Sequence, residues 1–114
     1  MKDGVSEAAW EKTVVDLAHL NSWMVAGFRP AQIGKSWQTP VRHDAKGWPD
    51  LVLVRDRVIF VELKTNKGRT RPEQVEWIGA LKAAGQEVYV WRPSDWDEVV
   101  ETLRWKDREW KGNS

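Results

Sequence analysis

The 114 residues are enough for one domain with a single core. Hydrophobic residues make up 41% and charged residues 31%, an ordinary globular balance, and the absence of cysteine removes disulfides and thiolate metal sites. Net charge is +1, yet residues 29–71 hold ten Lys or Arg against four Asp or Glu, an excess of +6 that suits a surface facing a polyanion. No apolar run approaches the ~20 residues of a membrane span. Met1-Lys2-Asp3-Gly4 lacks the apolar stretch of a signal peptide, so a cytoplasmic setting is expected. Nine tryptophans are many for this length; most are expected in packing, and the rest are suited to stacking on bases.

The first predicted element is a helix over residues 6 to about 21. Ser6 is a good N-cap, Glu7 suits the first turn, and Trp10, Val14, Leu17 and Leu20 recur at helical spacing. Residues 23–28, apolar between Asn21-Ser22 and Arg29-Pro30, predict a strand. Residues 29–49 are rich in Pro, Gly, Lys, Arg and Gln without periodicity, which predicts a long loop. Residues 51–54 and 58–64 flank Arg55-Asp56-Arg57 and predict a tight β-hairpin. Residues 71–84 predict a helix with Pro72 in its first turn, Val75, Ile78 and Leu81 on one face, and Gly85 at its end. Its cap is Arg71, or Thr70 in a Thr70-x-x-Glu73 capping box. Residues 87–91 then form a strand, which makes a strand–helix–strand unit and a parallel pair. Ser94 and Asp97 resemble another capping box, starting a last helix to about residue 105, and a polar tail runs from Lys106. The order α-β-β-β-α-β-α describes a single α/β domain over residues 1–114, a small mixed sheet flanked by helices.

Chemistry concentrates at one end of the hairpin. Glu62 and Lys64 share a face because strand side chains alternate, while Ile59, Val61 and Leu63 take the other. Pairing about the three-residue turn brings Asp50 near the level of Glu62 or just beyond it. Two acids and an ammonium at the end of an apolar hairpin are costly unless they pair or bind a metal. Two carboxylates and a neighbouring backbone carbonyl are hard oxygen donors suited to Mg²⁺ or Mn²⁺. Such a centre suits phosphodiester hydrolysis, with Lys64 orienting water or stabilising charge on the phosphate. The plainer alternative is a structural Asp–Lys–Glu ion-pair network.

Gly47-Trp48-Pro49-Asp50, an apolar strand, and Val61-Glu62-Leu63-Lys64 together resemble the PD-(D/E)xK nuclease signature, and more closely the VRR-NUC (virus-type replication-repair nuclease) family in its stand-alone phage or bacterial form. The likeness covers residues 6–98. It includes Ser6-Glu7, Phe28-Arg29-Pro30-Ala31, Arg71-Pro72-Glu73-Gln74 and the segment from Val88 to Asp95. It implies a restriction-endonuclease-like fold. It also implies metal ligation by Asp50, Glu62 and the Leu63 carbonyl, a catalytic Lys64, an assisting acid at Glu7 and a site role for Gln74. Glu11, one turn beyond Glu7, is an alternative acid. The family commonly has Thr where this chain has Arg71, which leaves that helix cap open. His43 is a plain loop histidine in this reading. Arg29, Lys35, Arg42, Lys46, Lys67, Arg69 and Arg71 bracket the acids in sequence and are candidate phosphate contacts, which position rather than specify. The resemblance implies a homodimeric DNA endonuclease selective for branched DNA such as four-way junctions. The alternatives are a non-cleaving DNA-binding module of the same fold and an RNA or single-strand nuclease.

Overall fold

The computed structural model describes residues 4–29, 31–33, 36–38 and 42–105. Helix α1 (Glu7–Leu20) is capped by Ser6, whose hydroxyl accepts from the Ala9 N–H at 3.0 Å. Strand β1 (Met24–Gly27) follows, then the short strands β2 (Ala31–Ile33) and β3 (Ser36–Gln38), the hairpin strands β4 (Leu51–Val54) and β5 (Val58–Leu63), helix α2 (Pro72–Ala83) and strand β6 (Glu87–Trp91). A 3₁₀ turn (Pro93–Asp95) leads into helix α3 (Trp96–Leu103).

Four strands form one mixed sheet in the order β1-β4-β5-β6, antiparallel except for the parallel β5–β6 pair. The hairpin closes Val54 onto Val58 across the three residues 55–57, as the sequence predicts. Alternation then gives the sheet two unlike faces. Leu51, Leu53, Ile59, Val61 and Leu63 turn one way and pack with Trp10, Val14 and Ala18 of α1 and Val99 and Leu103 of α3. Asp50, Phe60, Glu62 and Lys64 alternate with them and serve the opposite face, where α2 lies.

Tryptophan ties remote segments to this core through its single N–H donor as well as its ring. Trp10 Nε1 donates to the Trp91 carbonyl at 3.0 Å, and Trp23 Nε1 donates to the Leu103 carbonyl at 2.9 Å. Arg55 lies over the ring of Trp23 at 4.3 Å and that of Trp105 at 4.6 Å, while Nη1 donates to the carbonyls of Asn21 and Leu103. The turn arginine therefore closes the ends of α1 and α3 together.

Two expectations are corrected, and the choice left open for the cap of α2 is decided. The segment 29–49 is not wholly loop, because β2 and β3 pair antiparallel within it. Strands of three residues are too short to leave a period-two signal. The cap of α2 is Arg71, not Thr70, and the side chain that reaches back is Gln74, whose Oε1 accepts from Arg71 N at 2.8 Å. The last helix starts at Trp96 with Asp95 as its cap, because Pro93, Ser94 and Asp95 are used in the preceding turn. Lys35 and the tail from Lys106 lie outside the described residues.

Gly47 shows how the loop before β4 is seated. Its φ is +91°, and a Cβ there would stand 2.6 Å from the backbone C and O of Glu73 in α2. Gly47→Ala therefore meets both a left-handed backbone and a main-chain clash. It is expected to cost about 1–3 kcal/mol and to displace the loop that ends in Asp50. Thermal denaturation reads the first effect, and an unchanged melting temperature would contradict it.

Candidate active site

Strand register sets the centre. Leu51 pairs with Val61, so Asp50 and Glu62 stand opposite one another one step further on. Asp50 Oδ2 accepts from the Leu63 N–H at 2.8 Å. Glu62 Oε2 accepts from Gln74 Nε2 at 2.7 Å and lies 3.2 Å from Lys64 Nζ. Glu62 is 1% exposed and Lys64 8%, and these two are the buried charged residues among those described. Glu62 Oε1 is buried without any hydrogen-bond partner. A buried carboxylate oxygen left unpaired is costly, and natural structures keep few of them.

Electrostatics agrees with the geometry. Burial, followed by the neighbouring Asp50 charge, pushes the Glu62 carboxyl up from 4.5 to about 7, against the opposing pull of Lys64. Burial also raises the Asp50 carboxyl, although the Leu63 N–H, Arg29 and Lys64 act the other way. Two desolvated carboxylates facing each other resist joint ionisation without a further positive charge.

These groups open onto a cavity of about 460 Å³. Asp50, Glu62, Leu63 and Lys64 line it from the sheet, Arg71 and Gln74 from the start of α2, and Glu7 and Arg29 from α1 and the end of β1. Arg29 is ion-paired with both first-helix acids, donating to Glu7 Oε2 at 3.2 Å and lying 2.9 Å from Glu11 Oε1. Glu7 lines the cavity and Glu11 does not.

All six predicted catalytic and metal-ligating positions thus fall in one place. The predicted phosphate contacts divide. Arg29 and Arg71 line the cavity, whereas Arg42, Lys46, Lys67 and Arg69 do not. Lys46 lies 3.9 Å from the Glu73 carboxylate, and Arg29 is already engaged by two acids. His43 is exposed with φ +57°, in keeping with a plain loop residue.

Sequence reasoning missed the aromatic clamp behind the site. Trp48 packs edge-on against Phe28, Phe60 and Trp77 at 6.4, 5.8 and 5.0 Å, and Trp77 Nε1 donates to the Asp44 carbonyl at 2.8 Å. This fixes the loop delivering Asp50 between the sheet and α2. The Trp48-Pro49-Asp50 run was visible, but nothing near Trp77 identifies its partner 33 residues earlier.

The family model of the VRR-NUC domain matches residues 9–95, which includes Asp50, Glu62, Lys64 and Gln74; Glu7 lies just before the match. The chain belongs to the VRR-NUC family. Comparison with curated proteins and with solved structures gives no match. VRR-NUC is a nuclease domain, and the mixed four-stranded sheet flanked by helices is compatible with its restriction-endonuclease-like fold. Nuclease domains of this type typically use divalent metals. Among the described residues there is no group of three or more His, Asp or Glu suited to an ion, so the candidate donor set is two carboxylates with main-chain oxygen. That set fits a hard cation that retains several waters, and the unpaired Glu62 Oε1 is the atom such a cation would satisfy.

Proposed function

We propose that this VRR-NUC domain is a Mg²⁺- or Mn²⁺-dependent endonuclease that hydrolyses DNA phosphodiesters. The observation that carries this reading is the buried, unpartnered Glu62 Oε1 beside Asp50, with Lys64 3.2 Å from the other Glu62 oxygen. Asp50, Glu62 and the Leu63 carbonyl would hold the cation, with Glu7 at the cavity edge as an assisting acid. When bound, the cation supplies Lewis acidity toward a phosphate oxygen and toward water.

The chain's own residues do the rest. Gln74 fixes the Glu62 carboxylate by donating to Oε2, and its own carbonyl oxygen is held by Arg71 N. The Leu63 N–H holds Asp50 in the same way. Lys64 presents a buried ammonium to the negative charge that builds on the reacting phosphate, where a preformed cation is worth far more than in water. Arg71 borders the cavity as a cation for a flanking phosphate, and Lys67, Arg69, Arg42 and Lys46 extend the basic surface beyond it.

The substrate we favour is branched DNA such as a four-way junction. A homodimer would place two such sites on the two strands of one branched molecule. Its setting would be replication, recombination or repair in the cytoplasm of a bacterial or phage-infected cell. A labelled junction incubated with Mg²⁺ or Mn²⁺, and in parallel with EDTA, tests the reading; single-stranded DNA and RNA in the same buffer test the substrate. Cutting is expected with metal and not with EDTA, and Lys64→Ala is expected to cut at least about 100-fold more slowly. Equal cutting by wild type and Lys64→Ala would remove the assignment of the site.

A further inference from the structure

We propose that Arg92 is a positioning residue for Lys64. The inference rests on the nuclease reading above and deepens it. Lys64 is the last residue of the apolar run, and its main chain is held by donation from its N–H to the Trp91 carbonyl at 3.0 Å. Its side chain needs separate support, because an ammonium on a flexible four-carbon stem is not fixed by strand geometry. The turn formed by residues 65–68 supplies it. Gly68 N donates to the Thr65 carbonyl at 3.2 Å, and a Cβ built on Gly68 would stand 3.6 Å from Lys64 Cδ, so the turn lies along the lysine stem.

Arg92 holds that turn from outside. Its Nη1 donates to the carbonyl oxygens of Thr65 and Gly68, both at 2.6 Å, and so grips both ends of the turn. The main chain that carries this side chain is itself fixed, because Asp95 Oδ2 accepts from the Arg92 backbone N–H at 2.9 Å across the 3₁₀ turn. Ser94 N adds a third stitch by donating to Asn66 Oδ1 at 3.0 Å. The segment Arg92-Pro93-Ser94-Asp95 therefore acts as a brace. It fixes the residues against which Lys64 packs, and through them the direction in which Nζ points. Hydrogen bonds from a charged guanidinium are the stronger kind, and displacement of a catalytic group by about 1 Å costs up to about 100-fold in rate.

The test is Arg92→Ala and Arg92→Lys in the full chain, with kcat and KM for DNA cleavage under saturating Mn²⁺ and hydrogen exchange measured in parallel. Arg92→Ala is expected to lower kcat by roughly tenfold to a hundredfold while KM for DNA stays within about twofold. Arg92→Lys, which keeps a charged donor able to serve two carbonyls, is expected to restore most of the rate. Amide exchange over residues 64–68 is expected to rise in Arg92→Ala and stay near wild type in Arg92→Lys. A lowered melting temperature with unchanged kcat, a change confined to KM, or unchanged exchange over 64–68 would overturn the proposal. If Arg92→Ala does not fold, Arg92→Lys and Ser94→Pro, which deletes the third stitch, decide it by the same kcat and exchange readings. Wild-type protein that does not cut overturns the nuclease reading, whereas cutting unaffected by Arg92 overturns only this one.

Discussion

Glu62→Gln is expected to abolish metal-dependent cleavage and, in the same protein, to stabilise the metal-free fold above pH 7. Both effects come from the same carboxylate. Its pKa is raised from 4.5 to about 7 by burial and by Asp50, so folding favours the proton-bound form. The stability associated with that proton is fully present below pH 4.5 and is lost as pH rises through about 7. With EDTA present, wild-type melting temperature is therefore expected to fall between pH 5 and pH 8 more steeply than that of Glu62→Gln. The amide keeps the size of the side chain and an acceptor for Gln74 and Lys64, but cannot carry the charge a cation requires. Addition of Mn²⁺ at pH 8 is expected to raise the wild-type melting temperature and leave the variant unmoved. A variant less stable than wild type at pH 8 would mean that Glu62 is a structural ion-pair partner of Lys64 and nothing more.

Much of this site could be read from the chain because strand geometry converts spacing into position. A three-residue turn and strict alternation place Asp50 across from Glu62 and put Glu62 and Lys64 on one face. The helix bearing Glu7 was equally readable from its cap and its apolar spacing. What sequence left dark depends on contacts between remote segments. Arg29 reads as a phosphate contact in a basic run, but its guanidinium is shared between Glu7 and Glu11 on another element. The reach of Trp77 to Asp44 and of Arg92 to Thr65 spans 33 and 27 residues and leaves no local trace. The β2–β3 pair was missed for the opposite reason, since its strands are too short to show a pattern.

Trp10→Ala is expected to cause the largest loss of stability. Trp10 is 1% exposed, meets the ring of Trp96 edge-on at 6.0 Å, and donates its indole N–H to the Trp91 carbonyl at 3.0 Å. Removing the ring leaves a cavity between α1, α3 and the sheet, at about 3–5 kcal/mol for a buried aromatic. Against a total stability of about 5–15 kcal/mol, this brings the protein near unfolding or lowers its melting temperature by roughly 10–20 °C. Trp10→Phe isolates one part of the effect. It keeps most of the apolar surface while removing the donor to Trp91 and part of the indole volume, with an expected cost of about 1–3 kcal/mol. Because α1 also carries Glu7, thermal denaturation is to be measured before any change in cleavage is assigned to the site. Equal melting temperatures for Trp10→Ala and wild type would contradict the core described above.

Calorimetric titration of the metal-free protein with Mn²⁺ at pH 6.5, repeated in buffers of different ionisation enthalpy, most directly tests whether Asp50 and Glu62 exist to hold a cation. Saturable binding with release of protons is expected, because ligation requires Glu62 to give up the proton that burial favours. Both the heat and the proton release are expected to vanish in Glu62→Gln. Titration to millimolar Mn²⁺ with no saturable heat, or with the same heat in the variant, would contradict a cation at this pair of acids.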